Sequence, residues 1–284
     1  METIRQPRVM RETAIKEKKN GKSIGFVPTM GALHEGHMSL VRTARAENDI
    51  VVASIFVNPT QFSPGEDFAC YPRSLSDDLE KLEGLSDFVF LPEKENMYPP
   101  DFSTRVEVEG LSENMCGRFR PGHFRGVATV VLKLFNMVQP SRAYFGQKDY
   151  QQSAVIKKLV RDLDLTLEVL VCPTVRESDG LALSSRNSYL QQEERNAAPA
   201  LYRALQSGAK ALKDGQRDAG LVGGIMRQSL SEEPLVRQVQ YIAAFDADTL
   251  EELEIIEKNR VVLAGAVIVG TTRLIDNLLV NDLK

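Results

Sequence analysis

The sequence predicts an α/β protein: a doubly wound parallel sheet domain followed by a smaller α+β domain. Three observations carry that expectation. Up to about residue 175, short apolar runs alternate with amphipathic stretches, the order that builds right-handed βαβ units. One of these runs, Ile50 to Val57, is β-branched and nearly all apolar, as expected of a strand covered on both faces. After Pro173 the character changes to long Ala/Leu-rich helical stretches and two further apolar segments. The expected division is residues 1–175 and 176–284.

Each element follows from its local pattern. Ser23 to Pro28 reads as a buried strand. Ser39 to Asn48 is helical, with Leu40, Val41 and Ala44 on one face. Ser76 to Leu85 is a helix capped by Ser76, and its acids suit the positive end of the helix. Asp87 to Leu91 is a third strand, stopped by Pro92. Phe124 to Val138 is a strongly apolar helix that packs under the sheet and ends before Pro140. Ala143 to Phe145, Tyr150 to Leu163 and Leu165 to Val171 continue as strand, helix, strand. In the second domain, Glu193 to Leu212 and Leu221 to Leu230 read as helices. Gln238 to Asp246 and Arg260 to Val269 read as antiparallel strands.

Bulk properties narrow the function classes. The chain has 284 residues, 43% hydrophobic and 26% charged, with a net charge of −4. That balance argues against a nucleic-acid surface, although a local basic pocket for a small polyanion remains open. No apolar run is long enough to span a bilayer, and Met1 to Thr13 lacks an apolar signal core. The expectation is a cytoplasmic protein with no nucleic-acid and no membrane partner. Cys70, Cys116 and Cys172 are an odd, scattered set, which fits reduced thiols rather than a disulfide framework.

The chemistry concentrates where strands end. Residues 25–37 run from the apolar strand through a Pro/Gly-punctuated turn to His34, Gly36 and His37, two of only three histidines. A strand that ends in a Gly-rich turn and feeds a helix N-terminus suits phosphate. Histidines there can donate to phosphate oxygens as charge shifts onto them. Zinc is the competing reading of His-Glu followed by another His. A zinc protease needs His-Glu-x-x-His on one helical face. Here the second histidine comes one residue early, Gly36 interrupts a helix, and no cysteine pair completes a site.

Four other groups accompany the histidines. Gly146-Gln147-Lys148-Asp149 follows a strand; Lys148 offers phosphate a point charge, and Asp149 either caps the next helix or accepts from a ribose. Asp179 to Asn187 sets two hydroxyls and a guanidinium in a row, fit for a triphosphate or for an ordinary helix cap. The amides Asn58, Gln61, Gln151 and Gln152 can bind a carboxylate while leaving its charge unpaired and nucleophilic. Arg120 to Gly126 carries the remaining histidine in a Gly-rich basic turn that suits phosphate, substrate or simple entry into the helix. Asp77 and Asp78 can help to hold magnesium or favour the helix start.

Order decides what single motifs leave open. Val27-Pro-Thr-Met-Gly-Ala-Leu-His-Glu-Gly-His37, Ile55-Phe-Val-Asn-Pro-Thr-Gln-Phe62 and Tyr71-Pro-Arg73 come first. Arg120-Pro-Gly-His-Phe-Arg-Gly126, Lys148-Asp-Tyr-Gln-Gln152 and Leu181-Ala-Leu-Ser-Ser-Arg-Asn187 follow, and Thr271-Thr-Arg-Leu-Ile-Asp-Asn277 closes the set. Together they resemble the bacterial pantothenate synthetase family from about residue 22 to the C-terminus. The resemblance implies a Rossmann-like nucleotidyltransferase domain, related to class I aminoacyl-tRNA synthetases, and a C-terminal lid domain. It also implies the condensation of (R)-pantoate with β-alanine, with ATP split to AMP and pyrophosphate, Mg2+ required, and a homodimer.

The resemblance further implies roles by position. His34, His37, Lys148 and Arg186 act on the phosphates as the catalytic set. Met30, Gly31, Gly146, Asp149, Val175, Leu183, Ser184 and Ser185 complete the ATP site, with Gly146 and Asp149 at the ribose and the Val175 backbone at the adenine. Met30, Asn58, Gln61 and Gln152 take pantoate and β-alanine. Two departures stand out: Gln147 replaces the glutamate common before the lysine, and Asn114 to Phe119 is unlike the family's small, acidic run. The rival enzyme is an adenylyltransferase, which needs the histidine motif but not the paired glutamines. A nucleotide-binding regulator without turnover is the rival of another class.

Overall fold

The computed structural model describes residues 1–281. The chain divides into two compact units. The first comprises Met1–Ser112, Arg120–Gln147 and Gln152–Pro173; the second comprises Glu113–Phe119, Lys148–Gln151 and the described residues from Thr174 onward.

In chain order the first elements are β1 (Glu2–Ile4), α1 (Pro7–Lys19), β2 (Ile24–Thr29), α2 (Glu35–Glu47), β3 (Ile50–Ile55), α3 (Leu75–Leu82), β4 (Phe88–Phe90) and the short α4 (Lys94–Met97). A helical turn α5 (Cys116–Phe119), α6 (His123–Val138), β5 (Arg142–Gly146), α7 (Tyr150–Asp162) and β6 (Glu168–Cys172) follow. The six strands form one parallel sheet in the order β1-β4-β3-β2-β5-β6. Strand residues alternate between its two faces, as the period of two requires. Ile24, Phe26, Val52, Phe90 and Phe145 pack with α1 and α6 residues such as Met10, Val131 and Phe135. Val27, Val51, Val89 and Tyr144 pack with Met38, Val41 and Ala44 of α2 and Leu82 of α3. Covering both faces makes this a doubly wound sheet, as the apolar strands imply.

Strand order reverses at β2. The chain steps outward from β2 through β3 to β4, then returns to lay β5 on the other side of β2. The crevice beyond the carboxyl ends of the strands at such a reversal is the usual ligand site of open α/β sheets.

The second unit holds α8 (Gln192–Ala197), α9 (Ala200–Lys213), α10 (Ala219–Ser231) and the strands β7 (Val236–Asp246), β8 (Arg260–Val269) and β9 (Thr272–Asn281). The strands form an antiparallel sheet in the order β7-β8-β9. Leu201, Leu205 and Leu212 of α9 and Val222, Met226 and Leu230 of α10 bury one side of it, against Ile242, Leu263 and Val267. Burying each such side chain is worth ~1.5–3 kcal/mol.

Several local expectations are corrected. The helix expected from Ser39 begins at Glu35, so Gly36 lies in its first turn instead of interrupting it. Ser74, not Ser76, precedes α3, and it makes no side-chain cap. The helix expected over Glu193 to Leu212 is two helices, because Pro199 lacks the amide hydrogen that a continuous helix needs. The strand β9 and the opening pair β1 and α1 went unread. β9 carries Arg273, Asp276 and Asn277 among its apolar residues, which blunts the alternation.

Candidate active site

The histidine segment is built from β2 outward. Thr29, at the strand end, donates its hydroxyl to Ser54 O (2.7 Å) and accepts from Gly31 N (3.2 Å). Gly31 and Ala32 both take left-handed φ values, 83° and 51°. A side chain at Gly31 would also meet Asp78 Oδ2 at 2.9 Å, so glycine is required twice over. The reversed backbone turns two amides toward α3. Ala32 N donates to Asp78 Oδ2 (2.9 Å), and Leu33 N donates to Asp78 Oδ1 (2.7 Å). Lys81, one turn further along α3, donates to Leu33 O (2.7 Å). Asp78 is 1% exposed, and its carboxylate clamps the loop that delivers the histidines.

His34 is the N-cap of α2 and His37 sits in the first turn. Gly36 N donates to His34 Nδ1 (3.2 Å), and His34 N makes a longer contact with His37 Nδ1 (3.4 Å). The rings lie 4.1 Å apart, centroid to centroid. Because Nδ1 accepts in each neutral ring, the ring proton sits on Nε2. The capping contacts therefore set the tautomer as well as the helix start. Two N–H donors stand at a helix N-terminus, whose dipole favours an anion.

The amides gather after β3. Asn58 caps a 3-10 turn, Pro59–Gln61, and is 1% exposed. Its Nδ2 donates to Gln61 Oε1 (3.0 Å) and to Gly126 O (3.2 Å). Its Oδ1 accepts from Thr60 Oγ1 (2.9 Å) and Tyr98 Oη (2.8 Å). Asn58 thus holds the Gln61 side chain with its Nδ2, while its own amide is fixed at Oδ1 by Thr60 and Tyr98. Burial raises the Tyr98 phenol's pKa above its ordinary value, so it stays a donor. Gln61 Nε2 faces Met30 Sδ at 3.1 Å. A thioether is a weak acceptor, and a ligand oxygen would displace it readily. Gln152 is half-buried on α7, whereas Gln151 is buried, accepting from Cys116 N (3.0 Å) and donating to Asn114 O (2.7 Å). That bond pair shapes the atypical 114–119 stretch into α5, where Phe119 stacks on Tyr241.

Gly146 ends β5, and Gln147–Asp149 form a 3-10 turn into α7. Lys148 is half-buried, with its Nζ 3.8 Å from Asp149 Oδ1. Its carbonyl accepts from Asn277 Nδ2 (2.9 Å). The adjacent Asp276 accepts both arms of Arg176, at 2.6 and 2.9 Å. Arg176 lies across the Tyr202 ring at 3.9 Å and donates to Gly180 O (3.0 Å).

From there the backbone pairs across the loop. Leu183 N donates to Val175 O (3.0 Å) and Glu177 N donates to Leu181 O (2.9 Å). Arg195 bridges Asp179 (2.6 Å) and Glu177 (2.7 Å). Its hydrogen bond holds the Asp179 carboxyl's pKa below the ordinary value. Ser184 caps a 3-10 turn, Ser185–Tyr189, by accepting from Arg186 N (3.3 Å). Val175, Leu183, Ser184, Ser185 and Arg186 therefore share one braced loop in the second unit.

The family profile described as Pantoate-beta-alanine ligase matches residues 2–279. The chain belongs to the pantoate–β-alanine ligase family. It is 56% identical to the pantothenate synthetase of Thermodesulfovibrio yellowstonii over 281 residues, covering 99% of this chain and 100% of that one. It is also 56% identical to that of Moorella thermoacetica over 285 residues, with coverage of 99% and 100%. A crystal structure of the Thermus thermophilus enzyme superposes with a TM-score of 0.92 at 46% identity, covering 98% of this chain and 99% of that one. The pantoate-beta-alanine ligase of Francisella tularensis, solved complexed with beta-gamma ATP and beta-alanine, gives 0.79 at 37% identity, with coverage of 98% and 97%.

The chain is accordingly an amide-forming ligase that joins pantoate to β-alanine, on the expected Rossmann-like parallel sheet. No helix among its described residues is long and apolar enough to cross a membrane. Sequence reasoning missed the supports of these segments: Asp78 as a clamp on the histidine loop of the first unit, and Arg176, Arg195 and the Asp276–Asn277 pair around the loop of the second. The one available signal was the acid and amide, Asp276 and Asn277, that end the C-terminal motif.

Proposed function

We propose that the ligase activates pantoate with ATP. A carboxylate does not condense with an amine until one of its oxygens becomes a leaving group. In this reading the (R)-pantoate carboxylate attacks the α-phosphorus in line and pyrophosphate departs. The neutral amine of β-alanine then attacks the pantoyl adenylate, forming the amide and releasing AMP. Positioning and charge neutralisation carry most of the rate, as in other phosphoryl transfers.

The observation that carries this reading is the histidine pair. Nδ1 of His34 and of His37 each face a backbone amide, so both rings present an Nε2–H donor at the N-terminus of α2. Such donors stabilise charge that develops on phosphate oxygens. Met30 and Gly31 lie on the same loop. Lys148 and Arg186 add fixed cations, Ser184 and Ser185 add hydroxyls, and Gly146, Asp149, Val175 and Leu183 are assigned to the nucleoside. Gln61 and Gln152 are assigned to pantoate, with Met30 packing against it. Asn58 acts through Gln61, which its amide orients.

Mg2+ is proposed as the counter-ion that arrives with ATP. Among the described residues no three His, Cys, Asp or Glu side chains cluster as a metal cage, and the Asp78 carboxylate already accepts two backbone amides. Phosphate oxygens and water would hold the ion, as is common for magnesium, and it would neutralise phosphate charge. Exclusion of water from a hydrolysable adenylate is the role proposed for the second unit. A homodimer and a cytoplasmic location complete the proposal.

The test is AMP release measured with each substrate left out in turn. Release should require both pantoate and β-alanine under multiple turnover. AMP formed at full rate without β-alanine would overturn this reading, and pyrophosphate released at full rate with no free AMP would instead mark an adenylyltransferase. His37→Ala should lower adenylate formation ~100-fold or more while the protein stays folded. Near-normal turnover by that variant would remove His37 from the chemistry.

A further inference from the structure

The segment Arg120 to Gly126 is not used by the mechanism above, yet it touches Gln61 from several directions. Arg120 grips Glu66 with two parallel bonds, Nε to Oε1 (2.7 Å) and Nη2 to Oε2 (2.6 Å). Its Nη1 meets His123 Nε2 at 3.1 Å, and His123 Nδ1 meets Gln61 O at 2.8 Å. A guanidinium can only donate. His123 Nε2 is therefore an acceptor, its ring proton sits on Nδ1, and that proton is donated to the Gln61 carbonyl. The charge of Glu66 thus fixes Arg120, Arg120 fixes the His123 tautomer, and His123 holds the backbone of Gln61. Arg120 Nη2 adds a longer contact to the same carbonyl (3.4 Å).

Two further observations point the same way. His123 is 9% exposed and lies edge-on to Phe124, with ring centroids 4.8 Å apart, so its ring plane is set by packing. Gly126, one turn on in α6, lets the backbone of Thr60 and Gln61 approach the helix. A Cβ there would collide with Thr60 O and come within 2.7 Å of Gln61 Cα.

We propose that His123, fixed by Arg120 and Glu66, is a positioning residue for pantoate: it sets the backbone of Gln61 and so the aim of the Gln61 amide. The inference rests on the assignment of Gln61 to pantoate. It predicts a selective defect, because the contacts that run through His123 lead to the backbone of Gln61, which is assigned to pantoate and not to the nucleotide. Asn58 fixes the Gln61 side chain from one end, and His123 fixes its main chain from the other.

The experiment compares His123→Leu, His123→Asn and Gln61→Ala in the full chain. The readouts are KM for pantoate, KM for ATP and kcat. His123→Leu should raise KM for pantoate ~10-fold or more, with KM for ATP within about twofold of the parent. His123→Asn, which keeps a donor near the Nδ1 position, should recover most of the loss. An unchanged KM for pantoate in His123→Leu, or an equal rise in both KM values, overturns the proposal. If His123→Leu does not fold, His123→Gln replaces it. That variant reaches the Nε2 position, so it should show the pantoate defect that His123→Asn lacks, and equal values from the two overturn the proposal. Gln61→Ala separates the two levels. If it leaves pantoate binding intact, the Gln61 assignment fails and takes the inference with it. If it is defective while His123→Leu is normal, only the inference fails.

Discussion

The two units hold their candidate phosphate-binding groups by different means. In the first, three contacts that shape the histidine segment come from within it: Thr29 to Gly31, His34 to Gly36, and His34 to His37. One helix, α3, adds the buried Asp78 carboxylate and the Lys81 ammonium from 45 and 48 residues away. In the second, the loop from Val175 to Asn187 leans on a strand far along the chain. Arg176 reaches Asp276 across 100 residues, and Lys148 is tied to Asn277 across 129. A loop that caps its own helix carries part of its shape with it. A loop tied by a largely buried ion pair leans on one distant residue as well as on its own local bonds from Arg195 and Ser184.

That contrast can be broken by removing one anchor from each unit. The largest effect should come from Asp276→Ala. It leaves the Arg176 guanidinium, whose side chain is 15% exposed, without its carboxylate. Losing one partner of such a pair should cost about 3 kcal/mol or more. Denaturant titration should show this loss, and KM for ATP should rise with it. A change under about 1 kcal/mol would mean that the loop stands without β9.

Asp78→Asn should do less. It swaps one acceptor for a donor facing a backbone N–H, a penalty of ~1–3 kcal/mol. Its mark should be on kcat, lowered ~10-fold as the histidines lose their placement, with little change in KM for pantoate. Equal damage to kcat and to both KM values would make Asp78 merely structural.

The smallest effect concerns a local anchor in the second unit. Burial alone would raise the Asp246 carboxyl's pKa, but the bond to Lys258 and the amides of Thr249 and Asp248 outweigh it and hold it at about 2. A depressed carboxylate stabilises the fold above its unfolded value, near 4, and that stability is lost as pH falls through about 2. The contribution is ~1–2 kcal/mol. Comparing unfolding at pH 5 and pH 2.5 should show a smaller pH dependence in Asp246→Asn than in the parent. Identical pH dependence would deny Asp246 this role.

How much was legible follows the same division. The sheet was readable because apolar runs and intervening helices repeat along the chain. The H-x-G-H turn was readable because its geometry is made within a few residues. What stayed hidden was made by contact across the fold. Nothing near Asp78 says that it will accept Ala32 and Leu33 amides; read locally, it is an acid in the first turn of a helix. Asn58, Gln61 and His123 were visible as polar residues after a strand or in a turn. Their chain of tautomer and amide contacts needs α6 laid against the 3-10 turn. β9 hid because the residues that brace the loop interrupt its apolar pattern.

The tie between Arg176 and Asp276 also has a temporal side. Protein chains are made from the N-terminus at ~5–20 residues per second. Every strand of the parallel sheet has been synthesised once Cys172 is joined, so the histidine turn can form on a complete sheet. The loop from Val175 to Asn187 is made immediately afterwards, but Asp276 comes 100 residues after Arg176. For about 5–20 seconds of synthesis the growing chain carries this loop without the residue that ties it to β9. The loop from Val175 to Asn187 is therefore expected to gain its anchor late, as one of the last events in the ligase's own production.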